Sequence, residues 1–194
     1  MQIGIFGGTF NPVHSGHVNA AKLISTELSL DRVIFVPVKD PVHKQFEGNA
    51  SPLDRLAMLE SAINGIPSFS VDPIEINREE PSYTVHTLTA FKEKYPGSVL
   101  HLIVGSDSFN TIDSWFNYVK ILELALFVVL TRPGEEGVRA DLLHIIPGII
   151  RPRINFDDVS SSLVRQRLKD GLSIDGLVPE AVARYIKDKR LYLQ

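Results

Sequence analysis

Residues 1–20 read MQIGIFGGTFNPVHSGHVNA, and the fold turns on them. Residues 2–6 have the apolar, β-branched composition of a short buried strand. Two glycines, a proline and two histidines follow at once. Val18, Ala21, Ile24 and Leu28 then recur near helical spacing, so residues 15–28 read as an amphipathic helix. Residues 32–36 form the next apolar, β-branched run. Strand, helix and strand within so few residues make a βαβ unit with a parallel sheet.

The rest of the chain repeats the pattern. Residues 37–50 hold two prolines and no period, and read as a loop on the ligand side of the sheet. Ser51-Pro52-Leu53-Asp54 has the form of a helix start: a capping serine, a first-turn proline and an acid three places on. Leu56, Leu59 and Ile63 supply the stripe of that helix. Residues 69–76 hold one or two short strands, broken at Asp72-Pro73. A helix over 84–95, closed by Pro96-Gly97, leads to a strand over 99–104. A helix and an aromatic loop, SWFNY, follow. A further buried strand covers 125–130, and RPGEEG makes a turn. Residues 138–158 show no clear period beyond an apolar run near Ile145. Helices are expected over 160–169 and 179–187, with Pro179 in the first turn of the latter. The expectation is one domain over residues 1–194: an α/β, Rossmann-like, doubly wound and mainly parallel sheet with helices on both faces. Ligands of such sheets bind beyond the carboxyl ends of the strands.

Composition narrows the function. The 194 residues carry 44% apolar and 22% charged side chains, an ordinary globular balance. A formal net charge of -3 weighs against nonspecific nucleic-acid binding. With no cysteine, disulfides, thiolate nucleophiles and cysteine-held metals are excluded. The most apolar run, residues 124–130, is too short for a membrane-spanning helix. No basic region precedes an apolar stretch at the start, so the expected location is the cytoplasm.

The unusual sequences fall at strand ends and helix starts. Gly7 and Gly8 let the backbone turn tightly and approach a ligand. The helix after them presents unpaired N–H groups and a dipole suited to an anion. His14 and His17, three apart, share its first turn and can donate to phosphoryl oxygens. The pattern is neither GxGxxG nor GxxxxGK[ST], and H-S-G-H lacks the glutamate of a zinc H-E-x-x-H motif. No metal ligands are assigned. His43 and Lys44 lie in the loop after the second strand, where a lysine suits polyphosphate. In VSSSLVRQRL, Ser160 can cap, Ser161 and Ser162 fall in the first turn, and Arg165 offers a fork to phosphate. Arg167 points elsewhere, to the surface. Asp107, after Gly105 at a strand end, can accept from ribose hydroxyls or cap a helix. Trp115 can stack on a flat ring, although filling the core explains it better.

Taken together, the chain resembles bacterial nicotinate-nucleotide adenylyltransferases of the nucleotidyltransferase superfamily. GGTFNPVHSGH is similar to the G-x-F-x-P-x-H-x-G-H signature, held as Gly8, Phe10, Pro12, His14, Gly16 and His17. DPVHK resembles a P-P-H-K segment, and SSSLVR resembles an I-S-[SA]-[ST]-x-I-R helix start. PSYT, the tryptophan loop and the closing PEAVARYI…LY stretch favour the pyridine mononucleotide branch. The resemblance implies AMP transfer from ATP to nicotinate mononucleotide, with Mg2+ held mainly through substrate phosphates. It implies that His14, His17, His43, Lys44 and Arg165 serve the ATP phosphates. The Gly8–Thr9–Phe10 backbone would approach the joining phosphates, and residues 160–194 would contribute to the phosphate site. Gly105 and Asp107 would serve the adenosine half, and Thr84 and the Trp115 loop the nicotinate half. No nucleic-acid or membrane partner is implied, and monomer and homo-oligomer both stay open. Two positions depart from the pattern: Asn11 stands where bacterial members usually have aspartate, and Val42 where they have a second proline. The competing readings are an enzyme acting on nicotinamide mononucleotide or on both rings, and a nucleotide-binding regulatory protein that transfers nothing.

Overall fold

The computed structural model describes residues 1–39, 47–131, 137–146, 148–151 and 159–193, apart from the side chain of residue 145. His43 and Lys44 therefore lie outside the described residues, as does most of the RPGEEG turn.

The strands are β1 (Gln2–Gly8), β2 (Arg32–Pro37), β3 (Phe69–Val71), β4 (Val99–Gly105) and β5 (Leu126–Leu130). The helices are α1 (Ser15–Glu27), α2 (Pro52–Ile63), α3 (Thr84–Lys94), α4 (Ser106–Phe109), α5 (Tyr118–Leu124), α6 (Ala140–Ile145), α7 (Ser161–Lys169) and α8 (Glu180–Lys189). One sheet runs β3-β2-β1-β4-β5, and every pairing is parallel. The chain winds outward from β1 to β3, then returns to place β4 against β1. The strand order reverses between β1 and β4, which is where such a sheet opens a crevice.

Strand alternation divides the core. Phe6, Val33, Phe35, Ile103 and Val128 face α1, α2, α7 and α8, where Ile24, Leu59, Val164 and Ile186 are buried. Ile3, Ile5, Ile34, Leu102 and Val129 face the other way, against Leu88, Phe91, Phe109, Ile121 and Leu142 of α3 to α6. Each fully buried aliphatic side chain contributes about 1.5–3 kcal/mol. The doubly wound expectation is met.

Local expectations fared unevenly. Ser51 and Asp54 form the reciprocal cap of α2: the Asp54 N–H donates to Ser51 Oγ at 3.1 Å and the Ser51 N–H to Asp54 Oδ2 at 2.9 Å. The buried stripe of α2 is rotated from the expected one, with Arg55, Met58, Leu59, Ala62 and Ile63 inside and Leu56 half-exposed. Only one short strand forms over 69–76. Asp72 ends it by accepting the Ile74 N–H at 3.1 Å, and Pro73 has no N–H to continue a ladder. Pro179 caps α8 from just outside rather than within its first turn. The stretch 138–158 hides α6, too short to show a period, and a bridge from Ile150 to Val128.

Candidate active site

β1 ends in Gly7 and Gly8, and α1 begins only at Ser15. The link between them is pinned by an aromatic wedge. Phe10 has φ of 47°, a conformation that costs a non-glycine residue about 1 kcal/mol or more. Its ring is buried against Phe6, His17 and Phe35, at centroid distances of 5.7, 5.0 and 5.9 Å. That packing offsets the strain. Phe10 thus serves the loop from the core, and its side chain does not reach the ligand side. The peptide between Asn11 and Pro12 is cis.

Donors from behind hold this loop. The fully buried Arg55 donates to the carbonyls of Thr9 and Lys39, at 2.7 Å each. Arg165 donates to the Asn11 carbonyl at 2.8 Å, to Ser162 Oγ at 3.2 Å and to the Glu47 carboxylate. The bond from Arg165 holds the Glu47 carboxyl below its usual range. Ser161 Oγ donates to the Pro12 carbonyl at 2.9 Å. Tyr192 donates its hydroxyl to Asn11 Oδ1 at 2.7 Å, while Asn11 Nδ2 donates to the Glu47 carbonyl at 2.7 Å. Asparagine has both a donor and an acceptor, and this turn uses both; aspartate would meet the Glu47 carbonyl with a lone pair. Burial pushes the Tyr192 phenol up, so it stays a donor. Y192F is expected to cost about 1–2 kcal/mol, by leaving Asn11 Oδ1 without its buried donor. A fall in melting temperature of roughly 2–6 °C would report it.

His14 caps α1, and its ring lies 3.6 Å, centroid to centroid, from that of His17. The His14 backbone N–H donates to His17 Nδ1 at 3.2 Å. A ring nitrogen that accepts carries no proton, so this bond assigns the proton of a neutral His17 to Nε2. His17 therefore keeps an N–H donor on a ring that lines a cavity.

That cavity, about 400 Å3, opens at the carboxyl ends of β1 and β4. Gly7, Gly8, Thr9, His14 and His17 line one part of it. A Cβ on Gly7 would meet nothing within 4 Å, so it would project into this space. Gly105 and Asp107 line the end of β4, and Tyr83, Thr84, Trp115 and Phe116 an aromatic end. Tyr83 and Phe116 approach to 4.7 Å between ring centroids. Trp115 packs against the core and faces the cavity at once, so the two roles weighed for it coincide.

The expected site residues thus separate into two groups. Gly7, Gly8, Thr9, His14, His17, Thr84, Gly105, Asp107 and Trp115 converge on the cavity. Phe10, Ser161, Ser162 and Arg165 do not line it; they hold the turn that does. Two contributors escaped the sequence reading. Arg55 shared a face with Met58 and Leu59, the signal of a charge inside an apolar stripe. Glu75, buried on the cavity, carried no pattern of its own, whereas Phe116, expected beside Trp115 in the aromatic loop, lines the cavity with it.

Comparison with known proteins gives the family and the fold. Residues 5–167 match the family model described as cytidylyltransferase-like. A probable nicotinate-nucleotide adenylyltransferase of Geobacter sulfurreducens is 39% identical, over 99% of this chain and 98% of its own length. One of Bacillus licheniformis is 36% identical over 98% of each. The fold matches that of Plasmodium falciparum nicotinic acid mononucleotide adenylyltransferase, solved in complex with NaAD. The TM-score is 0.81 at 23% identity, covering 98% of this chain and 97% of that one. The chain belongs to the cytidylyltransferase-like family and, within it, to the nicotinate-nucleotide adenylyltransferases.

Proposed function

We infer that the chain transfers the adenylyl group of ATP to nicotinate mononucleotide, giving deamido-NAD and pyrophosphate. One observation carries this reading. A single cavity joins an anion-suited turn, with His14 and His17, to an aromatic end fit for a flat ring, at the switch point of the sheet.

The mononucleotide phosphate is already anionic near neutral pH, so the attack needs no dedicated base. Its oxygen bonds to the α-phosphorus of ATP as the bond from that phosphorus to the bridging oxygen breaks. The electron pair leaves with pyrophosphate. Binding two anions in line is the main task of the protein. His14 and His17 act on the phosphates, with the backbone of Gly7, Gly8 and Thr9. Arg165, Ser161 and Ser162 act through the loop they hold. Gly105 and Asp107 serve the adenosine half. Thr84, at the start of α3, and Trp115 hold the pyridine half.

Among the described residues no group of three or more metal-ligating side chains stands together. The resemblance implies magnesium carried in on phosphate oxygens and water. Bound there, magnesium neutralises part of the triphosphate charge.

W115A is expected to raise KM for the mononucleotide about tenfold through lost aromatic contact, with little change in KM for ATP. The test of function is pyrophosphate release with Mg–ATP and either mononucleotide, with product masses. Deamido-NAD formed faster than NAD supports the reading. Preference for the amide keeps the chemistry and overturns the substrate. ATP binding without release points to a regulatory protein.

A further inference from the structure

One buried carboxyl on the cavity has no part in the phosphate chemistry. Glu75 is 7% exposed and lines the cavity beside Ser82, Tyr83, Thr84 and Thr87. Thr87 Oγ1 donates to Glu75 Oε1 at 2.7 Å. Thr87 is the fourth residue of α3, so the bond ties Glu75 to the helix turn that carries Thr84. Arg78 donates to the same hydroxyl at 3.4 Å, and Lys39 to the Arg78 carbonyl at 3.0 Å. Burial pushes the Glu75 carboxyl up, against the pull of its hydrogen bonds and of Arg78. An acid thus sits where an acid-bearing ring is to bind. An ionised Glu75 would repel that ring, and a neutral one would not.

We propose that Glu75 is a specificity-determining residue. With its carboxyl neutral, the cavity favours an anionic pyridine substituent; with it ionised, preference shifts toward the uncharged amide. The proposal rests on the adenylyl-transfer reading above. Its sign follows from titration. Glu75 is neutral below its own pKa, so preference for the acid falls as pH rises through that value.

The surrounding charges allow a clean test. Asp72 is paired with Lys94 at 2.8 Å, and His86 Nδ1 lies 3.6 Å from Glu80. His14, His17 and Asp107 line the same cavity. Those histidines meet phosphates that both mononucleotides share, so a ratio of the two substrates cancels them. H86N controls for any contribution of the His86 ring.

The experiment measures kcat/KM for the acid and amide mononucleotides from about pH 5 to about pH 9, with melting temperatures for each variant. A full charge about 10 Å away, at an effective dielectric near 20, changes binding roughly tenfold. The acid-to-amide ratio of the wild type and of H86N is expected to fall about tenfold as pH rises. E75Q has the shape of the neutral acid and keeps an acceptor for Thr87. It should hold the low-pH ratio throughout. A wild-type ratio constant with pH overturns the proposal, and so does an E75Q ratio that follows the wild type. The wild-type profile decides even if E75Q does not fold. If the wild type adenylates neither mononucleotide, the adenylyl-transfer reading fails instead.

Discussion

H17A is expected to lower kcat about 100- to 1000-fold while KM for ATP changes only a few-fold. The asymmetry follows from where charge moves. As the α-phosphorus is transferred, negative charge grows on the departing pyrophosphate. A donor aimed there works harder in the transition state than in the ground state, so its loss appears in kcat. His17 has what that role needs. It sits at the start of α1, its Nδ1 accepts the His14 N–H at 3.2 Å, and its ring lines the cavity. Steady-state rates with varied ATP, beside a melting curve, give the answer. An H17A protein that folds and keeps wild-type turnover removes His17 from the mechanism.

The second large effect is on stability. R55A is expected to lose about 3–5 kcal/mol, because it empties a fully buried volume and removes the two guanidinium donors of the Thr9 and Lys39 carbonyls. In a chain of this length that means a melting temperature lower by on the order of 10 °C. R55K should fall between, since one ammonium lacks the planar fork that reaches both oxygens. The Thr9 carbonyl belongs to the phosphate turn, so residual folded R55A should also be slow. An R55A melting within about 2 °C of the wild type would show that the turn does not depend on this side chain.

The doubly wound sheet was legible because its strands are continuous apolar runs and its first helix has a clear stripe. The cavity half of the site was legible for a related reason. Gly7, Gly8, His14 and His17 crowd one strand end, where the backbone alone places them. Arg165 was not legible in its actual place. A basic residue in the first turns of a helix suits a phosphate, and only tertiary contact shows it bonded to Asn11 and Glu47. Tyr192 and Asn11 meet across 181 positions. Glu75 is buried by α3, and its bond to Thr87 depends on how the 72–80 turn folds back. Local pattern carries no information about such contacts.

The central claim is that one cavity holds both nucleotide halves, phosphates at the histidine turn and pyridine ring at the aromatic loops. A crystal structure with deamido-NAD bound tests it most directly. The account predicts the phosphates within hydrogen-bond reach of His17 Nε2, the adenosine beside Gly105 and Asp107, and the pyridine ring against Trp115. A dinucleotide bound elsewhere, or with its two halves reversed in the cavity, would contradict it.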